Sequence, residues 1–160
     1  MMSMKSEHTS FNRNAGTATG NNPRLPLWNL EAINETLEHA SPQTILLWAL
    51  SQGLPTISTT SFGEHSAATL HLVQSLSKRI PTVWVDTGFS NPATHRHAQA
   101  LTRHLSLDLR RYTPLQSPMA LLKHYGARSE ADLVPEHRAR VASVTKLEPF
   151  ERALSELRPK

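Results

Sequence analysis

Between Thr56 and Tyr112 the apolar pattern switches period repeatedly, and this alternation limits the fold more than any other feature of the chain. Thr82-Val83-Trp84-Val85 is a continuous β-branched and aromatic run of strand length, suited to a strand buried on both faces. Upstream, Ile57 with Thr56, Thr59 and Thr60 predicts a short strand ended by Ser61-Phe62-Gly63. Downstream, Leu107 to Tyr112 predicts a third, weakened by Asp108 and two arginines. Between the strands the period returns to 3.6. Ala68, Leu72 and Leu76 mark one helix from Glu64; Thr94, Ala98, Leu101 and Leu105 mark another, opened by Asn91-Pro92. Strand, helix, strand, helix, strand predicts an α/β fold on a parallel sheet. Strand order is not readable from period.

Before this core, Leu27 to His39 is expected to be helical, with Leu30, Ile33 and Leu37 at helical spacing. A second helix is better marked, with Ser41 as N-cap, Pro42 at its first position and Gly53 just past its end. Residues 1–24, rich in Ser, Thr, Asn and Gly, are expected to be a disordered leader to a domain over 25–160. After Tyr112 come a short helix around Met119, Leu122 and Lys123, a second over Ala131 to Val144, and a third from Pro149. The third carries Phe150, Ala153, Leu154 and Leu157 at i, i+3, i+4 and i+7. In a wound α/β fold such a helix leads into another strand. None follows it here, so the sheet is expected to be unfinished, with an edge open to self-association as a homodimer or to a partner.

Composition excludes several functions. The 160 residues contain no cysteine, which rules out thiolate metal sites, iron–sulfur clusters and a cysteine nucleophile within them. The net charge of +4 is spread over pairs such as Lys78-Arg79 and Arg110-Arg111, and aromatics make up 6%. A small anionic ligand fits this better than nucleic acid, which is not expected as a partner. No membrane span and no secretory leader are predicted, so a cytoplasmic location is the expectation. His95 and His97 are two apart and point to different faces of a helix, so no metal site is expected.

Ligands of open parallel sheets bind at the carboxyl ends of the strands. Two loops there carry suitable chemistry. Thr59, Thr60, Ser61, Phe62, Gly63 and Ser66 combine hydroxyls, a glycine and the free N–H groups of a helix start, which together can cradle an anion. Asp86, Thr87 and Gly88 follow the second strand, where a carboxylate can accept from ribose or an adenine amine. Plainer readings stand beside both: a polar loop before a helix is common, and Asp-Thr-Gly is also an ordinary turn with a capping Asp.

Three ordered segments resemble the phosphoadenylyl-sulfate (PAPS) reductases, relatives of the ATP pyrophosphatases. Thr59-Thr60-Ser61-Phe62-Gly63-Glu64-His65-Ser66-Ala67-Ala68 resembles their modified phosphate loop. Ile80 to Phe89 is similar to their strand ending in Asp-Thr-Gly plus an aromatic, and Pro92 and Thr94 fit the helix start that follows. Lys146-Leu147-Glu148-Pro149, continuing to Ala153-Leu154, resembles their Lys-x-Glu-Pro segment. The resemblance implies a Rossmann-like adenine nucleotide alpha hydrolase (PP-loop) fold. It also implies that the two loops hold PAPS or adenosine 3′,5′-bisphosphate, with Lys146 near the anionic groups. In that family a cysteine in a C-terminal Glu-Cys-Gly-x-His motif attacks the sulfonate sulfur, and thioredoxin or glutaredoxin then releases sulfite. Neither that tail nor any cysteine is present, so these residues are expected to bind nucleotide without reducing it. Val141-Ala142 stands about where iron–sulfur relatives carry a cysteine pair, which favours the cluster-free branch. A stand-alone or vestigial adenine-nucleotide-binding protein is the alternative. An ATP pyrophosphatase is the weaker third reading, because the loop departs from Ser-Gly-Gly-x-Asp-Ser at Phe62 and His65.

Overall fold

The computed structural model describes residues 29–159. The described residues from Thr36 onward form one compact unit, and those up to Glu35 fall in another. The leader expected over 1–24 lies outside the described residues. Helix α1 spans Leu30–Leu37, inside the predicted range, and Asn29 Oδ1 accepts from the Ala32 N–H at 3.2 Å.

In the larger unit, α2 spans Pro42–Ser51. Its start follows from local chemistry. Ser41 Oγ accepts from the Thr44 N–H at 3.2 Å, and Pro42 occupies a first-turn position where no N–H is needed. Next come β1 (Ser58–Thr60), α3 (Ser66–Leu76), β2 (Thr82–Val85), α4 (Pro92–Leu105) and β3 (Leu109–Tyr112). Asn91 caps α4 by accepting from the Thr94 N–H at 2.9 Å, and Ser106 ends it in the left-handed region.

The sheet is parallel with order β1-β2-β3, and Thr60, Trp84 and Arg111 stand in register across it. Helices α3 and α4 pack against each other on one face. Side chains alternate accordingly. Trp84 joins Phe62, Leu70, Ala98 and Leu107 on the α3–α4 side, while Val83 joins Tyr112 and Ala153 on the other. The β2 run is therefore buried on both faces, as its composition predicts. Full burial of side chains such as Leu70 and Val83 contributes about 1.5–3 kcal/mol each.

In α3 the buried stripe differs from the predicted one. Leu70, Val73 and Gln74 face the core, whereas Ala68 is exposed and Leu72 and Leu76 are only half-buried.

After β3, the chain forms α5 (Pro118–His124), a 3-10 turn (Glu130–Asp132) and α6 (Pro135–Ala142). The single helix expected over Ala131 to Val144 is split, because Pro135 holds Val134 extended at ψ 158. From α6 the chain stays helical through a wide π turn (Ser143–Leu147) into α7 (Glu148–Leu157). Pro149 therefore lies near the start of α7 without opening a separate helix. The wide turn fits its missing N–H, and Thr145 Oγ1 donates to the Val141 carbonyl at 2.9 Å inside the turn. Helix α7 covers β2 and β3 on the face opposite α3 and α4. A third cluster, Leu122, Leu133 and Val141, ties α5 to α6.

Candidate functional site

Three parallel strands deliver Ser61, Asp86 and Thr113 to one edge of the sheet. The loop after β1 is built on Phe62. Its side chain is 3% exposed and meets Trp84 edge to face, with ring centres 5.1 Å apart. Its backbone sits at φ 53, a strained setting for a residue with a Cβ, and the Thr60 hydroxyl supports it by accepting the Phe62 N–H at 3.0 Å. Phe62 thus anchors the loop from below, and its ring is not free to meet a ligand.

Beyond Phe62 the chain enters α3 without a side-chain cap. Ser66 Oγ donates to the Gly63 carbonyl at 2.6 Å, and His65 at the cap position makes no capping bond. The first amides of α3 are left without a side-chain acceptor, at the positive end of an 11-residue helix. Above them lies an open depression of about 400 Å³ walled by Thr59, Thr60, Ser61, Gly63 and Ser66. Glu64 and His65 also border it and pair with each other at 3.5 Å, both well exposed. The Ser66 N–H is met by the Gly63 carbonyl at 3.0 Å; the hydroxyls and the next amides of the helix start can accept a phosphate-sized anion.

The loop after β2 is a tighter structure. Asp86 is 2% exposed. Its Oδ1 accepts from the Gly88 N–H at 3.3 Å, and its Oδ2 pairs with Arg111 Nη2 and lies 3.7 Å from His95 Nε2. Thr87 Oγ1 accepts from the Phe89 N–H at 3.3 Å, and Phe89 packs on the cluster of α5 and α6. Gly88 has φ +81, and a Cβ there would stand 2.7 Å from Pro118 Cγ. Glycine is required here by conformation and by packing together.

Five of the expected residues, Thr59, Thr60, Ser61, Gly63 and Ser66, thus surround one depression, with Phe62 beneath it. Asp86, Thr87 and Gly88 lie one strand over and do not border that space. The Lys146 side chain is exposed on the π turn and makes no hydrogen bond or ion pair with another described residue. Arg111 and His95, the partners of Asp86, were not among the residues the sequence singled out for the site. Strand periodicity offers the signal: of the pair Arg110-Arg111, only one can point to each face. Arg110 pairs with Asp108 at 2.9 Å and Arg111 with Asp86.

Comparison with known proteins gives a consistent result. The family model of the phosphoadenosine phosphosulfate reductase domain matches residues 55–160. Over 130 residues the chain is 37% identical to the phosphoadenosine 5′-phosphosulfate reductase of Synechocystis sp., covering 81% of this chain and 52% of that protein. The reductase of Xylella fastidiosa is 38% identical over 134 residues, which cover 82% of this chain and 55% of that one. The chain spans about half the length of the curated relatives it matches. Among solved structures, the PAPS reductase from Candida auris in its phosphate complex superposes with a TM-score of 0.67 at 25% identity. The match covers 84% of this chain and 64% of that one.

Proposed function

Because the chain belongs to the phosphoadenosine phosphosulfate reductase family, we propose that residues 25–160 hold the nucleotide of PAPS at the carboxyl edge of the sheet. The observation that carries this reading is the uncapped start of α3 over a hydroxyl-walled depression of about 400 Å³. Thr59, Thr60, Ser61, Gly63 and Ser66 surround a phosphate there, with Phe62 fixing the loop from below. The Asp86-Thr87-Gly88 turn faces the sugar and base end of the ligand, and Asp86 holds that turn in shape. Lys146 supplies a mobile cation to the anionic groups. The phosphate complex of the Candida auris relative supports an anion-binding role for this fold.

In the whole reaction a thiolate attacks the sulfonate sulfur of PAPS. Sulfite leaves when thioredoxin or glutaredoxin resolves the enzyme thiosulfonate, in the cytoplasm. The 160 residues contain no cysteine, and a hydroxyl is a far weaker nucleophile at neutral pH. This favours nucleotide binding without reduction by these residues alone. No iron–sulfur cluster enters the proposal. No described helix is long and apolar enough to cross a membrane.

Calorimetric titration tests the assignment. Adenosine 3′,5′-bisphosphate is expected to bind more tightly than ATP; equal or reversed affinities would count against the phosphate-loop reading. PAPS with reduced thioredoxin is expected to yield no sulfite from this chain, and sulfite at reductase-like rates would refute binding without reduction.

A further inference from the structure

The α3–α4 face of the sheet holds a second cavity, of about 440 Å³, between α4 and β3. Trp84, Ala98 and Leu109 give it an apolar wall, while Gln99, Arg103 and Arg111 give it polar and cationic groups. None of these six residues borders the depression above α3.

Arg111 is held in a fixed setting. Its Nη2 donates to the buried Asp86 carboxylate, and its guanidinium carbon lies 5.3 Å from the centre of the Trp84 ring. Half of the side chain nonetheless remains exposed. A guanidinium carries five N–H donors, so pinning one edge orients the others, and an oriented fork loses less entropy when it grips an oxyanion. The Arg103 side chain is exposed on the same cavity and makes no hydrogen bond or ion pair with another described residue.

We propose that this cavity is a second ligand site, distinct from the nucleotide site, for a small ring-bearing organic phosphate. The phosphate meets Arg103 and Arg111, and the flat apolar ring lies against Ala98 and Leu109. Asp86 acts on this site as a positioning residue, through Arg111.

The test uses the full 160-residue chain and 1-naphthyl phosphate as probe. Affinity is read by calorimetry and location by amide chemical shifts, with and without saturating adenosine 3′,5′-bisphosphate. Expected are shifts confined to 98–103 and 109–111 that persist when the bisphosphate is present. Arg103→Gln, an exposed change that leaves the fold intact, should weaken the probe roughly tenfold or more, as expected for a lost charge-assisted bond. It should leave bisphosphate affinity unchanged. Arg111→Lys keeps the charge and loses the fork, and should also weaken the probe. Four results would overturn the proposal: no binding at millimolar probe, shifts centred on 61–66, displacement by the bisphosphate, or an unaltered affinity in Arg103→Gln. A chain that ignores the bisphosphate yet binds the probe through Arg103 would sink the nucleotide reading and leave this one standing.

Discussion

Gly88 and Pro118 are in direct opposition: a Cβ on Gly88 would stand 2.7 Å from the Cγ of Pro118, the first residue of α5. Because Gly88 also sits at φ +81, Gly88→Ala combines backbone strain with a clash against a rigid ring. A loss of about 1–3 kcal/mol is expected, read as a lower urea midpoint with unchanged slope. Gly63 gives the contrast. A Cβ there meets only Ser61 Oγ, at 3.6 Å. Gly63→Ala should alter stability by less than about 0.5 kcal/mol, yet weaken adenosine 3′,5′-bisphosphate by filling the wall of the depression. Should Gly63→Ala bind normally, that wall does not contact the ligand.

Asp86 joins two elements that sequence separates by 25 residues, its own β2 loop and Arg111 on β3. Asp86→Ala is expected to cost about 1–3 kcal/mol of stability. The figure stays below that for a fully buried pair because Arg111 is half exposed and rehydrates. Bisphosphate affinity should fall by a similar amount, since the Gly88 N–H loses its acceptor. Asp86→Asn keeps an acceptor oxygen for Gly88 and should retain most of the affinity while losing the ion pair. Equal binding by Asp86→Ala and the parent chain would remove this turn from the site.

What the sequence revealed and what it hid divide along the range of the interactions. The Ser41 and Asn91 caps are visible because donor and acceptor lie three residues apart. Thr82 to Val85 is visible because burial on both faces dictates its composition. The α3 stripe was misplaced for a geometric reason: residues four apart drift by about 40° per step around a helix, so Ala68, Leu72 and Leu76 do not share one line. The true line includes Gln74, which apolar periodicity ignores. Arg111 looked like a residue that weakens a strand, because its carboxylate partner is distant in sequence. The hydroxyl-rich loop was legible as an anion cradle; that Phe62 faces the core required the Trp84 ring to be in place.

Tyr112 gives a pH dependence. Burial, and then the hydrogen bond it donates to Glu156 Oε2 at 2.8 Å, push its phenol above the usual tyrosine range. A raised folded value means that the native state holds this proton more tightly than the unfolded chain. Its stabilisation is therefore complete below about pH 10 and is lost as pH rises through the folded value. Denaturation midpoints measured between about pH 9 and 11 should fall in the parent chain and fall less in Tyr112→Phe. At neutral pH that variant should lose about 1 kcal/mol for the missing bond. Identical alkaline profiles would mean that Tyr112 does not control this transition.

Lys146 does not line the depression above α3 and is exposed on a π turn whose shape depends on Thr145 and Pro149. Its proposed role is purely electrostatic, so stability and binding should separate. Lys146→Ala removes an exposed side chain and should leave the urea midpoint within about 0.5 kcal/mol of the parent. Affinity for the bisphosphate should fall by about 1–2 kcal/mol at low salt and by less as salt screens the missing charge. Lys146→Arg keeps the charge and should recover most of the loss. If Lys146→Ala binds normally at every ionic strength, the π turn is only the hinge between α6 and α7, and the cation that meets the ligand must come from another element.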